Sequence, residues 1–535
     1  MAARKIHPLW IVLAGSLWMT AAGNTALWQK LAALGLMQNF SGLGFSLALS
    51  GVLAAALFGI LALFAWRRSL KPVLTVLLVV TACASHFMNA YGVVIDPGMV
   101  TNAVQTNVHE AGALLSFGLV MNLLLLAAIP AWLLWRQPVA YASWGRQLWK
   151  NALAVGLSLL TIIVLLAMSY QAMASTMRNQ KDLRYLLNPL AGLYSATRVA
   201  LKPFELDQNL LLPIGVDHRR TAVPTQPAKP LTLLLVVGET ARSDHFSLNG
   251  YGRQTNPELQ TRQVVSFQNA WSCGTSTAES LPCMFSHLSR EDYAGRKANY
   301  ENLLDVLRKA GMNVLWVDNQ GGCKEVCNRV PHVDISTTCG SEECRDEAML
   351  DTMEQRLKTL TEAQRSQGTV IVLHQMGSHG PAYYKRSPEK FKAFLPECTT
   401  SALKDCSQET VRNAYDNSIR YTDHFLAKAI DWLQSNADNS AMMYVSDHGE
   451  SLGEGNIYLH GLPYTFAPDN QKKVPWITWL SAEFQRESKL SSACLQRRAA
   501  EEISHDSYFH AVLGLAGVAI KEYRPELDFY QACRG

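Results

Sequence analysis

The residues with the most chemistry to offer gather in three short polar clusters, each following an apolar run. Residues 231–237 run into Gly238-Glu239-Thr240, and 370–373 into His374-Gln-Met-Gly-Ser-His379-Gly-Pro. Residues 442–445 run into Ser446-Asp447-His448-Gly449-Glu450, and His460-Gly461 follows twelve residues after His448. Mixed carboxylates and imidazoles suit zinc, which takes oxygen and nitrogen ligands in a tetrahedral site. Any one cluster could be an ordinary turn; three at the ends of three apolar runs are harder to dismiss. A fourth segment, from Ser272-Cys273-Gly-Thr275-Ser276-Thr277 to Ser280-Leu-Pro282-Cys283, places several hydroxyls before an expected helix. Free amides at a helix start stabilise an anion or alkoxide. A hydroxyl is a poor nucleophile until a metal lowers its pKa. The combination suits attack on phosphorus. Residue type alone does not choose among Thr275, Ser276, Thr277 and Ser280, and N-capping is the structural alternative for each.

The elements that would position these residues alternate. Short β-rich runs at 231–237, 314–317, 370–373, 442–445 and 474–480 are separated by helical stretches such as 301–310, 346–362 and 410–436. Such alternation predicts an α/β domain over 231–535, with a central mostly parallel sheet and helices on both faces. Ligands in that architecture gather at the carboxyl ends of the strands, where the polar clusters fall.

The preceding part of the chain is built for another solvent. Charged residues are 17% of the whole, hydrophobic ones 48%, and the net charge is +4. That apolar content excludes a disordered chain, and the charge is too small to argue for nucleic acid. Residues 1–170 hold nine Lys/Arg but two acids, Asp96 and Glu110. Five apolar runs, near 9–29, 43–66, 72–92, 112–135 and 151–170, approach the ~20 residues that cross a bilayer. Arg4/Lys5, Arg67/Arg68/Lys71 and Arg136/Arg146/Lys150 fall on one side, which the positive-inside rule makes cytoplasmic. An odd number of spans then puts everything after residue 170 outside. Residues 171–230 form a connector with an amphipathic start and four prolines from Pro213 to Pro230.

Ten of the eleven cysteines lie from Cys273 onward, which fits an oxidising compartment. Their spacing suggests local staples: Cys273/Cys283, Cys323/Cys327, Cys339/Cys344 and Cys398/Cys406, leaving Cys494/Cys533. In the membrane half, Asn102, Thr106 and Glu110 are spaced by four, so a helix would stack them on one face, on the outer side of the bilayer. A cationic head group would suit that face.

The set as a whole resembles the membrane phosphoethanolamine transferases that modify lipid A, the family of the mobile colistin-resistance enzymes. The carrying motifs are Asn102…Thr106…Glu110, Val237-Gly-Glu-Thr-Ala-Arg242, Ser272-Cys-Gly-Thr-Ser-Thr-Ala278, Gly377-Ser-His-Gly-Pro381, Ser446-Asp-His-Gly-Glu450 and His460-Gly461. The resemblance implies an alkaline-phosphatase-like periplasmic domain on five transmembrane helices, in the bacterial inner membrane and as a monomer. It implies Thr277 as nucleophile, and Glu239, Asp447, His448 and Thr277 itself as ligands of a catalytic Zn2+. His379, His460 and Lys324 match positions that contact the phosphate or a second zinc, and Asn102, Thr106 and Glu110 match a lipid head-group site. The implied reaction moves phosphoethanolamine from phosphatidylethanolamine to a lipid A phosphate through a phosphothreonine intermediate, giving polymyxin resistance. The chain departs from some relatives at Gly321-Gly322, where no hydroxyl precedes Lys324. An acceptor such as an inner-core sugar or periplasmic glucan is the alternative. A sulfatase would need Cys/Ser-x-Pro-x-Arg, and Ser280-Leu-Pro282-Cys283-Met284 lacks the arginine.

Overall fold

The computed structural model describes residues 5–38, 40–106, 111–112, 114–205, 210–220, 229–336, 338–339 and 344–535. The chain divides into two compact units, Met1–Ala103 with Leu114–Leu201, and Val104–Ala113 with Lys202–Gly535.

The first unit is helical. Among the described residues, four of its helices are long and apolar enough to cross a membrane: Gly42–Leu63, Leu70–Tyr91, Phe117–Arg136 and Trp144–Met168. Val12, Leu53, Leu57, Leu74 and Leu78 are buried among them. Leu153, Leu157, Leu160 and Ile163 face outward, exposed, as a lipid-facing helix surface requires. Ser158 donates to the Ala55 carbonyl at 2.5 Å, a polar contact typical of close helix packing in membranes. Within the fourth run, residues Leu124–Ala128 widen to a π-helical turn. Pro130 follows at the start of Ile129–Arg136; it has no N–H and its ring crowds the carbonyl four residues back.

The first expected span, 9–29, is corrected. It is broken into Pro8–Ala21 and Thr25–Ala33. The cause is Asn24, whose side chain donates to the Met19 and Asn188 carbonyls and accepts from the Asn188 amide. Pro8–Ala21 has 14 residues and spans roughly 21 Å at 1.5 Å per residue, so a crossing of the ~30 Å hydrocarbon core there would need residues beyond that helix. The last run begins at Trp144 rather than 151, taking Arg146 and Lys150 into its first turns.

The second unit is built on an eight-stranded sheet. In chain order its strands are β1 Thr232–Gly238, β2 Val265–Trp271, β3 Asn313–Asp318, β4 His332–Asp334, β5 Thr369–His374, β6 Ser440–Ser446, β7 Lys473–Leu480 and β8 Glu502–Ser504. The spatial order is β8-β2-β7-β6-β1-β5-β3-β4. Five of the seven pairings are parallel; β7 runs antiparallel to both β2 and β6. β1, β5 and β6 are continuous apolar runs because helices cover both faces. The long helix Gln408–Asn436 packs against the sheet unit through Val411, Tyr415, Ile419, Phe425 and Ile430, all buried. Phe285, Trp316, Trp476 and Tyr508 are fully buried in the core, each worth about 1.5–3 kcal/mol in transfer from water. Disulfides join Cys273–Cys283, Cys323–Cys327, Cys339–Cys344, Cys398–Cys406 and Cys494–Cys533, the pairs that spacing suggested; Cys83 is free.

Candidate metal and nucleophile site

The register of the central strands sets the site. Val237 on β1 lies opposite His374 on β5 and Val445 on β6, and Gly238 lies opposite Ser446. The residues that follow, Glu239 and Asp447, therefore leave the sheet side by side. Asp447 donates its amide to the Gly238 carbonyl at 3.0 Å. Its Oδ1 accepts from the His448 amide at 2.8 Å and the Thr240 amide at 3.3 Å. Two carboxylates and an imidazole meet there, all fully buried.

Thr277 opens the helix Thr277–Met284. Its hydroxyl donates to Glu239 Oε2 at 2.9 Å and lies 3.3 Å from His448 Nε2. His448 Nε2 is 3.4 Å from both Glu239 Oε1 and Asp447 Oδ2. His448 Nδ1 donates to the Gly449 carbonyl at 2.9 Å, which leaves the Nε2 lone pair directed into the site. Among the described residues, Glu239, Asp447 and His448 are the one group of three with ligand atoms close enough to share an ion.

The donor set fits a divalent cation. Glu239 Oε1 and Asp447 Oδ2 are buried with no hydrogen-bond partner, a costly state for carboxylates. Burial, then the Asp447 charge, hold the Glu239 carboxyl well above its ordinary range, against the opposing pull of His460 and His374. A cation between the oxygens would reverse that balance.

The turn before Thr277 is held from four sides. Gly274 donates its amide to Ser280 Oγ at 3.3 Å, and Thr275 Oγ1 donates to the Leu462 carbonyl at 2.6 Å. A side chain at Gly274 would stand 2.7 Å from Glu279 Cβ, so the turn closes only around glycine. Ser280 donates to the Asp447 carbonyl. The Cys273 amide donates to His505 Nδ1 at 3.1 Å, and His505 Nε2 donates to the Ser446 carbonyl at 3.0 Å. His505 thus ties the nucleophile turn to the loop bearing Asp447 and His448. Ser280, the serine that a sulfatase pattern would recruit, is spent on this scaffold.

His505 gives a pH prediction. Burial pushes its imidazole down to about 4, while an unfolded chain keeps it near 6.5. Between those values the unfolded chain binds the proton and the folded one does not. Stability is therefore complete above pH ~6.5 and declines toward pH ~4, by at most about 3 kcal/mol. Urea unfolding of wild type and His505→Gln between pH 7 and 4.5 should show the shallower pH slope in the variant. Equal slopes would remove His505 as the cause.

Two other expected site residues, His460 and His379, stand beside the triad. The His448 and His460 rings are 4.3 Å apart, and those of His379 and His460 are 5.7 Å apart. His460 Nδ1 lies 3.3 Å from Glu450 Oε2, and Glu450 is fully buried. Burial depresses His379, helped by the charges of His460, Arg386, His448 and Lys324. Lys324 is half-buried and takes a positive φ of 46°. Asn102 lies in the helix Pro97–Gln105, which stops before Thr106, so one helical face does not carry both; Glu110 lies outside the described residues. Asn102 belongs to the first unit and Thr106 to the second. Sequence reasoning missed Asp318 and His505 as site residues and did not single out Glu450. Glu450 sits inside a quoted motif, whereas lone buried residues such as the other two carry no spacing signal.

The sulfatase family model matches residues 232–518. The model for phosphoethanolamine transferase EptA/EptB matches residues 53–204. The chain is 40% identical over 492 residues to phosphoethanolamine transferase EptA of Escherichia coli (strain K12), covering 88% of this chain and 86% of that one. It is 39% identical over 495 residues to phosphatidylethanolamine transferase Mcr-1 of Escherichia coli, covering 89% and 90%. Among solved structures it is similar to the integral membrane protein lipooligosaccharide phosphoethanolamine transferase A (EptA) from Neisseria meningitidis. That match has a TM-score of 0.94 and 33% identity over 99% of this chain and 100% of the other. Two family models thus meet in one chain whose relatives match it over most of its length, and the protein belongs to the phosphoethanolamine transferases, membrane enzymes with an alkaline-phosphatase-like soluble domain.

Proposed function

We propose that this enzyme transfers phosphoethanolamine from phosphatidylethanolamine to a lipid A phosphate, with Thr277 as the covalent carrier and Zn2+ as the metal. The observation that carries the reading is the Thr277 hydroxyl, 2.9 Å from Glu239 Oε2 and 3.3 Å from His448 Nε2, beside two carboxylate oxygens with no partner. Glu239, Asp447, His448 and Thr277 would hold the zinc. When bound, it supplies Lewis acidity to the phosphoryl oxygens and lowers the pKa of the threonine hydroxyl.

The chain's own residues do the rest. Glu239 Oε2 receives the Thr277 proton in its hydrogen bond, leaving Oγ lone pairs for phosphorus. Thr277 Oγ bonds to phosphorus as the bond to the diacylglycerol oxygen breaks. His460, whose Nδ1 lies 3.3 Å from Glu450 Oε2, would give that oxygen its proton. A lipid A phosphate oxygen then bonds to the same phosphorus, its proton passing to His460, and the Thr277 Oγ–P bond breaks as Glu239 returns the proton to Oγ. The start of the Thr277 helix and Lys324 offset charge on the phosphoryl oxygens. Asn102, Thr106 and Glu110 are proposed for the ethanolamine head group.

For location, we propose a multi-pass inner-membrane protein whose 231–535 domain is periplasmic. Support comes from the three Lys/Arg clusters, the four long apolar helices with shorter Pro8–Ala21, and the five disulfides. Polymyxin resistance follows from masking a lipid A phosphate with a cation. Mass spectrometry of lipid A from cells with and without the protein tests the reading. One added phosphoethanolamine per modified phosphate is expected. Unmodified lipid A, with the group found on core sugars or glucan, would transfer the proposal to that acceptor.

A further inference from the structure

Asp318 ends β3 on the far side of β5 from Glu239 and is almost fully buried. Its carboxylate accepts five hydrogen bonds. Oδ1 takes the backbone amides of Gln320 at 3.1 Å, Gly321 at 2.8 Å and Gly322 at 2.8 Å. Oδ2 takes His374 Nδ1 at 2.8 Å and Trp316 Nε1 at 2.9 Å. One buried carboxylate therefore folds the loop leading to Lys324 around itself and fastens it to the end of β5.

The loop needs such a fastening. Gly321, Gly322, Lys324 and Glu325 have φ of 100°, 119°, 46° and 71°, and two of these are not glycine. Side chains at positive φ persist where surrounding structure over-determines them. Burial alone would raise the Asp318 carboxyl. The His374 charge, the amides and the Trp316 N–H outweigh it, and the carboxyl is held far below its ordinary range. The anion is thus present at any working pH.

We propose that Asp318 is a positioning residue for the transfer: by gathering the three amides and His374 it fixes the Lys324 ammonium at the phosphoryl group. The inference rests on the phosphate role proposed for Lys324. A hydroxyl before Lys324 is absent in this chain, so the approach of the lysine depends on how its backbone is fastened, by Asp318 on one side and the Cys323–Cys327 disulfide on the other.

The test uses full-length protein in detergent, with diacylglycerol release from phosphatidylethanolamine as the assay. The variants are Lys324→Ala, Asp318→Asn, Gly322→Ala and the doubles with Lys324→Ala. Asparagine would turn a donor toward His374 or toward the amides. Gly322→Ala leaves the carboxylate intact, and its Cβ meets nothing within 4 Å; it acts through the φ of 119° alone, which keeps the test alive if Asp318→Asn does not fold. Each single change should lower kcat roughly 10²-fold with KM nearly unchanged, as loss of one transition-state contact does. Each double should be no worse than Lys324→Ala alone, with zinc content at wild-type level. Losses that multiply in the doubles, or wild-type kcat in both Asp318→Asn and Gly322→Ala, would overturn the positioning role while the phosphate role of Lys324 stands. Wild-type activity in Lys324→Ala would overturn both.

Discussion

Thr277→Ala is expected to abolish lipid A modification, lowering transfer by on the order of 10⁴-fold or more, as loss of other covalent nucleophiles does. The fold should survive. Thr277 is the first residue of its helix and its hydroxyl caps nothing; the turn is held by Gly274, Thr275, Ser280 and His505. A melting temperature near wild type should therefore accompany the loss. Intact-protein mass spectrometry adds a second readout: wild type incubated with phosphatidylethanolamine should carry one phosphoethanolamine, and the variant none. An alanine variant that still modifies lipid A would end the assignment and direct attention to Thr275 and Ser280.

Metal removal should have the second-largest effect. Glu239 Oε1 and Asp447 Oδ2 accept no hydrogen bond, so a site stripped of its ion would leave two buried carboxylate oxygens with only the His448 imidazole, 3.4 Å from each, beside them. Dialysis against a strong chelator should eliminate transfer and lower the melting temperature, and zinc should restore both. At a metal concentration a thousandfold above its dissociation constant the bound ion stabilises by about 4 kcal/mol. Asp447→Asn should abolish zinc binding and match the chelated enzyme. Metal-free protein, verified by elemental analysis, that retained full activity would remove zinc from the mechanism.

How much was readable in advance depended on whether a feature was local. β1, β3, β5, β6 and β7 were legible because each is an apolar run, buried on both faces. β2 was not: Val-Ser-Phe-Gln-Asn-Ala-Trp interleaves polar residues with apolar ones, and its partner β7 is two hundred residues away. β4 and β8 have three residues each, too few for any period to register. The metal triad could be read because its members follow strand ends, where register aligns them. The break at Asn24 could not, since its cause is a hydrogen-bonded pair with Asn188 on a distant segment. Asp318 and His505 escaped for the same reason. Each is a single polar residue whose meaning lies in partners that only the fold supplies.

The strand order bears on how the enzyme is made. Glu239, Thr277 and Asp447 enter in sequence as the chain is synthesised, but His505, which locks the nucleophile turn to the Asp447 loop, follows after all of them. β8, which leads into it, pairs with β2 across more than two hundred residues of intervening chain. An emerging polypeptide can therefore display every metal ligand before the turn beside them is closed. The geometry of the site is therefore completed after its ligands are, and a nascent chain stalled before His505 holds the ingredients of the site without their arrangement.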